Sequence, residues 1–312
     1  MAQTIFPTEP EIERAAAILR SGGLVAFPTE TVYGLGGNAF DPVAVAKIYA
    51  AKGRPATSPL IVHVASIEMA LTVVDEWPDS AAALARRFWP GPLTLVLRKK
   101  AVVLDQVTAG LPTVGIRIPA HPVALQLIDR AGLPIAAPSA NRFTQLSPTE
   151  AQHVRQGLGD RVDYILDGGS TDIGIESSVL SLTGGEMRLL RPGMITLAQI
   201  ETVVGRVESA AVSALTASHA SPGLHPKHYS PATKLIVTTD LPPGRVAYLW
   251  WNKELSAAAA LQMSAKPAQY ARDLYAILHR LDAQHFDVIV VEPVPESEEW
   301  DGIRDRLQRA AS

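Results

Sequence analysis

Lys52 and Arg54, one residue apart in Lys52-Gly53-Arg54-Pro55, have the chemistry to hold phosphate. The guanidinium offers a planar fork of donors and the ammonium a point charge. Much later in the chain, Pro138-Ser139-Ala140-Asn141 adds short polar side chains that donate and accept hydrogen bonds. Together these residues read as a nucleotide site. No GxxxxGK[ST] run occurs, so phosphate binding does not come from a P-loop. Thr31 and Tyr33 lie in a turn rich in Thr and Gly that permits close backbone approach. His63 stands alone in an aliphatic run. Arg117, again in an apolar run, is costly to bury without an anion, either a bound carboxylate or an internal partner. Gly34-Leu35-Gly36-Gly37 lacks GxGxxG spacing and follows a polar turn, which argues against a dinucleotide fingerprint. His219, His225 and His228 are spaced loosely like metal ligands but have no Cys and no acidic cluster, so linker polarity is the better reading.

The elements that must position these residues follow from periodicity. Helical spacing over residues 11–20 ends at Ser21-Gly22-Gly23, and a strand is expected at 24–27. Asp41-Pro42 starts a helix running to about residue 52, so Arg54 falls in the loop that follows it. Apolar or β-branched runs at 60–64, 93–97, 114–118, 135–137, 164–166 and 178–182 alternate with helical stretches. The pattern predicts an α/β fold with a twisted mixed sheet flanked by helices. Residues 1–205 form the first expected domain, 206–232 a Ser/Ala/His/Pro linker, and 233–312 a small Rossmann-like α/β domain. In that last part strands are expected at 234–238, 245–250 and 288–291, with helices at 256–263, 267–283 and 299–310.

Composition narrows the chemistry further. With 312 residues and 47% hydrophobic content the chain can build a large core, and its net charge of −3 is not the footprint of a general nucleic-acid binder. Zero cysteine excludes thiolate catalysis, disulfides and cysteine-held metals. The first residues lack a signal-peptide pattern, and no apolar stretch reaches the roughly 20 residues of a membrane span. A cytoplasmic protein without membrane contact is expected.

The chain resembles the YrdC-like family in its two-domain form, the threonylcarbamoyl-AMP synthases. The resemblance spans nearly the whole chain. It rests on Pro28-Thr29-Glu30-Thr31-Val32-Tyr33-Gly34-Leu35, Lys52-Gly53-Arg54-Pro55, Pro59-Leu60-Ile61-Val62-His63, Arg117-Ile118-Pro119, Pro138-Ser139-Ala140-Asn141, Ser147-Pro148-Thr149, Glu176-Ser177-Ser178-Val179 and Arg191-Pro192-Gly193. Ser221-Pro222-Gly223 and His228-Tyr229-Ser230-Pro231 resemble the segment that lies over the site in two-domain members.

What the resemblance implies is an enzyme joining L-threonine, bicarbonate and ATP into threonylcarbamoyl-AMP with release of pyrophosphate. A separate transferase complex would then modify the adenosine next to the anticodon of tRNA. By this likeness Lys52 and Arg54 neutralise the triphosphate and are the expected catalytic pair. Thr31, Tyr33, His63, Arg117 and Ser177 would contact threonine, and Ser58, Thr113, Ser139, Asn141, Ser147, Arg191, His228 and Tyr229 would contact ATP. Mg²⁺ would arrive on the nucleotide instead of in a protein cage. Two departures flank the nucleotide: Ser58 stands where relatives usually carry Asn, and Arg142-Phe143 where many carry a small Ser-Gly pair. Two other readings compete. One is a double-stranded-RNA-binding module, which would bind tightly without ATP and with strong salt dependence, apart from any weak RNA binding by the enzyme itself. The other is a carbamoyl-transfer enzyme of the same fold, against which the missing cysteine-rich segments speak.

Overall fold

The computed structural model describes residues 3–209 and 228–311. The expected Ser221-Pro222-Gly223 part of the lid, with His219 and His225, lies outside the described residues.

In chain order the first sheet's strands are β1 (Gln3–Ile5), β2 (Val25–Phe27), β3 (Gly34–Asn38), β4 (Ile61–His63), β5 (Leu93–Arg98) and β6 (Thr113–Arg117). They continue with β7 (Ile135–Ala136), β8 (Tyr164–Leu166), β9 (Ser178–Ser181), β10 (Arg188–Arg191) and β11 (Glu208–Ser209). Their spatial order is β1-β8-β2-β3-β7-β4-β6-β5-β9-β10-β11. Pairing is mixed: β4 runs parallel to β6, whereas β3 and β7, and β5 and β6, are antiparallel. This is the twisted mixed sheet that the alternating runs predict. The second sheet, β12 (Leu235–Val237), β13 (Val246–Trp250), β14 (Ala259–Gln262) and β15 (Val288–Val291), is wholly parallel in the order β12-β15-β13-β14.

Local chemistry explains the elements that carry the site. Helix Pro42–Lys52 starts where the Asp41 carboxylate accepts from Val43 N at 2.8 Å and ends at Gly53, whose φ of +63° suits glycine. Arg54 is thereby the first side chain beyond the helix, and Lys52 sits in its last turn.

Strands β1, β10 and β11 are not among the expected ones, and two further elements differ for reasons that the packing shows. Residues 256–263, read as a helix from their alanines, instead contain strand β14, paired parallel to β13 over Ala247↔Ala259 to Trp250↔Gln262. Pairing with the open edge of β13 outweighs alanine's preference, a weak local bias over so short a segment. The Gly-rich run after Tyr33, not among the expected strands, is strand β3. A Cβ on Gly36 would stand 2.8 Å from a Phe27 ring carbon and 2.9 Å from an Ile135 methyl, so neighbouring side chains occupy the space its own would take.

The two sheets meet along a packed seam. Val32, Leu146 and Ile175 of the first part are buried in one cluster with Tyr229, Leu274, Leu278 and Ile303 of the second. Each such apolar side chain contributes about 1.5–3 kcal/mol relative to exposure. Backbones touch at two glycines: a Cβ on Gly174 would fall 2.5 Å from Arg272 Cα, and one on Gly302 would fall 2.9 Å from Gly193 C. Helices Pro267–Asp282 and Asp301–Ala310 therefore press directly on segments that flank Glu176 and Arg191.

Candidate active site

Parallel α/β strands deliver ligand-binding residues at their carboxyl ends. Here β4 ends in His63 and β6 in Arg117, and the two are direct register partners. The loop after β2 carries Thr29 to Tyr33, and the loop after β7 carries Pro138 to Asn141. These loops are zipped together: Leu35 N donates to Pro138 O at 2.7 Å and Ala140 N to Tyr33 O at 2.8 Å. Ser177 precedes β9, and Arg191 ends β10.

Of the expected site residues, Thr31, Arg54, His63, Arg117, Ser139, Ser177, Arg191, His228 and Tyr229 line one cavity. It encloses about 520 Å³ of space, part of it open to solvent. Its wall is strongly cationic. Arg54 donates through Nε to Ser58 O at 3.3 Å and through Nη2 to Pro59 O at 2.9 Å, leaving Nη1 without a hydrogen-bond partner among the described residues. Burial, opposed by nearby tyrosines and aided by Arg191, draws the Arg54 value down to about 10, so it stays charged at neutral pH. Arg191 grips Ser177, donating to its carbonyl at 3.0 Å and 3.1 Å and to its hydroxyl at 3.2 Å. Thr94 and Ser177 share a hydroxyl hydrogen bond of 2.8 Å behind it.

Arg117 has an internal anion. Its Nη2 lies 2.6 Å from Glu30 Oε1, while Nη1 donates to Thr31 Oγ1 at 2.9 Å and Nε to Gly91 O at 3.1 Å. His63 stands beside it with Nδ1 buried and unbonded, edge-on to Phe27. Burial, then the Arg117 charge, pull His63 down to about 3, which keeps the ring neutral. His228 is drawn well down by burial first, then by Arg54 and Lys52.

Six expected residues do not line this cavity. Lys52 aims its ammonium at Ser139 O and Asn141 O, both at 2.6 Å, and at Asn141 Oδ1 at 3.4 Å. All three protons are engaged, so Lys52 secures the Pro138–Asn141 loop from behind. Burial, with Arg54 nearby, lowers its pKa well below the ordinary lysine value. Asn141 continues that brace, accepting from Ser139 Oγ at 2.5 Å and donating to Gln145 O at 2.7 Å. Tyr33 turns its hydroxyl to Gly169 O at 2.7 Å. Ser58 serves through its carbonyl. Ser147 donates to Glu176 Oε1 at 2.5 Å. Thr113 lines a second, mostly apolar cavity that shares Ile61 with the first.

The sequence reading missed Glu30, Glu176 and Arg306. The first two lie inside motifs whose other members drew attention, and no neighbouring cation marks either of them. Arg306 offered none. It lies in helix Asp301–Ala310, 130 positions from Glu176, yet its side chain is fully buried against that carboxylate. Burial pushes Glu176 up, but Arg306 and then Arg191 outweigh it and hold the carboxyl below its ordinary range.

Residues 17–193 match the family described as Telomere recombination, that of Sua5, YciO and YrdC, and residues 195–312 match the C-terminal domain described for threonylcarbamoyl-AMP synthase. The threonylcarbamoyl-AMP synthase of Pyrococcus abyssi is 41% identical over 97% of this chain and 94% of its own. That of Bacillus subtilis is 43% identical over 97% and 93%. The crystal structure of P. abyssi Sua5 complexed with L-threonine superposes with a TM-score of 0.92 at 40% identity, covering 100% of this chain and 97% of that one.

Proposed function

Because the chain belongs to the Sua5/YrdC family in its two-domain threonylcarbamoyl-AMP synthase form, we propose that it joins L-threonine, bicarbonate and ATP into threonylcarbamoyl-AMP and pyrophosphate. The threonine amine and bicarbonate condense to a carbamate with loss of water. A carbamate oxygen then bonds to the α-phosphorus as the bond to the β-phosphate oxygen breaks. Both reactants are anions, so the reaction chiefly needs positioning and charge neutralisation. The convergence of Arg54, Arg117 and Arg191 with the hydroxyls of Thr31, Ser139 and Ser177 in one cavity is the observation that carries this reading.

Arg54 and Arg191 neutralise the phosphates, and Ser139 hydrogen-bonds the nucleotide. Lys52 contributes its charge from behind the loop. Arg117, its charge shared with Glu30, receives the threonine carboxylate beside Thr31 and neutral His63. Thr113 keeps a place in a nucleotide site that spans both cavities. His228 and Tyr229 close the cavity from the 206–232 segment, between a 1–205 catalytic unit and a 233–312 unit. Glu30 and Glu176 are engaged by arginines, and among the described residues no cluster of three His, Asp or Glu side chains could hold a metal. Mg²⁺, the usual companion of ATP, enters on the triphosphate in this reading.

The product serves a tRNA-modifying transferase, which fits a cytoplasmic setting; no described helix is long and apolar enough to cross a membrane. Pyrophosphate release measured with ATP, Mg²⁺ and bicarbonate should require L-threonine. Release that ignores threonine, or none from folded protein, would overturn the reading and favour RNA binding or another acceptor.

A further inference from the structure

We infer that Arg306, on a helix of the C-terminal unit, is a positioning residue for the active site, an inference that rests on the synthase reading for its kinetic consequence. Its guanidinium touches three separate segments of the cavity wall. Nε donates to Glu176 Oε2 at 2.7 Å and Nη2 to the Glu176 carbonyl at 3.1 Å, fixing the residue that precedes Ser177. Nη1 donates to Pro192 O at 2.9 Å, fixing the residue that follows Arg191. Its Cζ lies 5.2 Å from the centre of the Tyr229 ring.

The carboxylate it holds is shared. Glu176 also accepts from Ser147 at 2.5 Å and from the Tyr275 hydroxyl at 3.3 Å, so both helices of the seam converge on one anion. Gly302, one turn before Arg306, lies close enough to Gly193 that no side chain fits between the backbones. Arg306 thus ties the Ser177–Arg191 pair, already joined by the bonds from Arg191, to Tyr229 and to the helix of the C-terminal unit. An ammonium does not match this geometry, because the guanidinium meets Glu176 Oε2, Pro192 O and Glu176 O with three separate nitrogens, whereas a lysine has one shorter-reaching nitrogen for all three.

The test compares Arg306→Met, Arg306→Lys and Arg304→Met in the full chain, reading pyrophosphate-release kinetics per folded molecule and backbone hydrogen exchange. Arg304 sits on the same helix but, among the described residues, bonds to Asp301 and to the Pro295 and Glu296 carbonyls, away from the cavity wall, so its variant controls for generic damage to the helix. Arg306→Met should lower kcat at least tenfold and raise the KM for ATP with it, since Arg306 holds Arg191 and Tyr229 through Pro192 and the Tyr229 ring. Arg306→Lys should fall between it and the parent, and amides of Ser177, Ser178 and Ser230 should exchange faster only in the Arg306 variants. Should Arg306→Met fold poorly, Glu176→Gln combined with it removes the stranded charge; that variant should regain stability and keep the low kcat. Parent kinetics in the folded double variant, or equal losses in Arg304→Met, would overturn the inference. A parent protein without threonine-dependent release would overturn the synthase reading instead, and the exchange rates would then decide alone whether Arg306 holds these segments.

Discussion

Arg54 shows how far a single residue can be read from spacing. Lys-Gly-Arg-Pro announced two cations at the end of a helix, and both are there. What spacing could not tell was aim: Lys52 points back at three loop oxygens, whereas Arg54 faces the cavity. The difference arises from contacts made 87 and 89 positions away, invisible to local pattern. Arg117 was legible as a cation needing an anion, but the internal partner, Glu30, sits in a motif read for its threonines. Arg54 and Arg191 in the cavity wall, with Lys52 behind the loop, are cations packed close together, and their mutual repulsion opposes folding. Arg54→Met, similar in volume and apolar, should leave the melting temperature at or above that of the parent while lowering pyrophosphate release at least about 100-fold. A calorimetric melt and an activity assay on the same preparation check both signs; a lower melting temperature with retained activity would remove Arg54 from the site.

At the level of elements, most strands of the first sheet were legible because β-branched and aliphatic runs bounded by turns have few alternatives. Two of the exceptions share a cause. Strand β3 is glycine because Phe27 and Ile135 fill its flanks, and β14 is alanine-rich at the edge of a small sheet. In both, tertiary neighbours decide what local preference leaves open. Gly302 gives the sharpest element-level expectation. Replacing it with Ala favours the helix by about 1 kcal/mol but drives a methyl against the Gly193 backbone, which cannot yield as a side chain would, at a cost of about 1–3 kcal/mol. A net loss of about 1 kcal/mol is expected from urea unfolding, with a fall in kcat as Arg191-Pro192-Gly193 shifts; a more stable and fully active Gly302→Ala would show that the seam tolerates spreading.

For the whole molecule, the buried histidines set the response to acid. His63 is held near 3 by burial and Arg117, and His228 is lowered by burial and its surrounding cations. Both bind a proton more readily in the unfolded chain, whose histidines titrate near 6.5. Their contribution is therefore complete above about pH 6.5 and lost as pH falls towards the folded values, at up to about 1.4 kcal/mol per pH unit for each. The urea midpoint should be clearly lower at pH 5.5 than at 7.5, and equal midpoints would mean that these rings are already charged or exposed. The seam has a different consequence, one of timing. Glu176 waits for a guanidinium 130 positions further along the chain, on the order of ten seconds of synthesis later. Until helix Asp301–Ala310 is made, the cavity wall holds a carboxylate without its cation and an uncovered apolar strip at Val32, Leu146 and Ile175. A nascent chain that stops short of that helix would therefore bring its cations together without being able to hold them in working order, so that catalytic competence arrives with helix Asp301–Ala310.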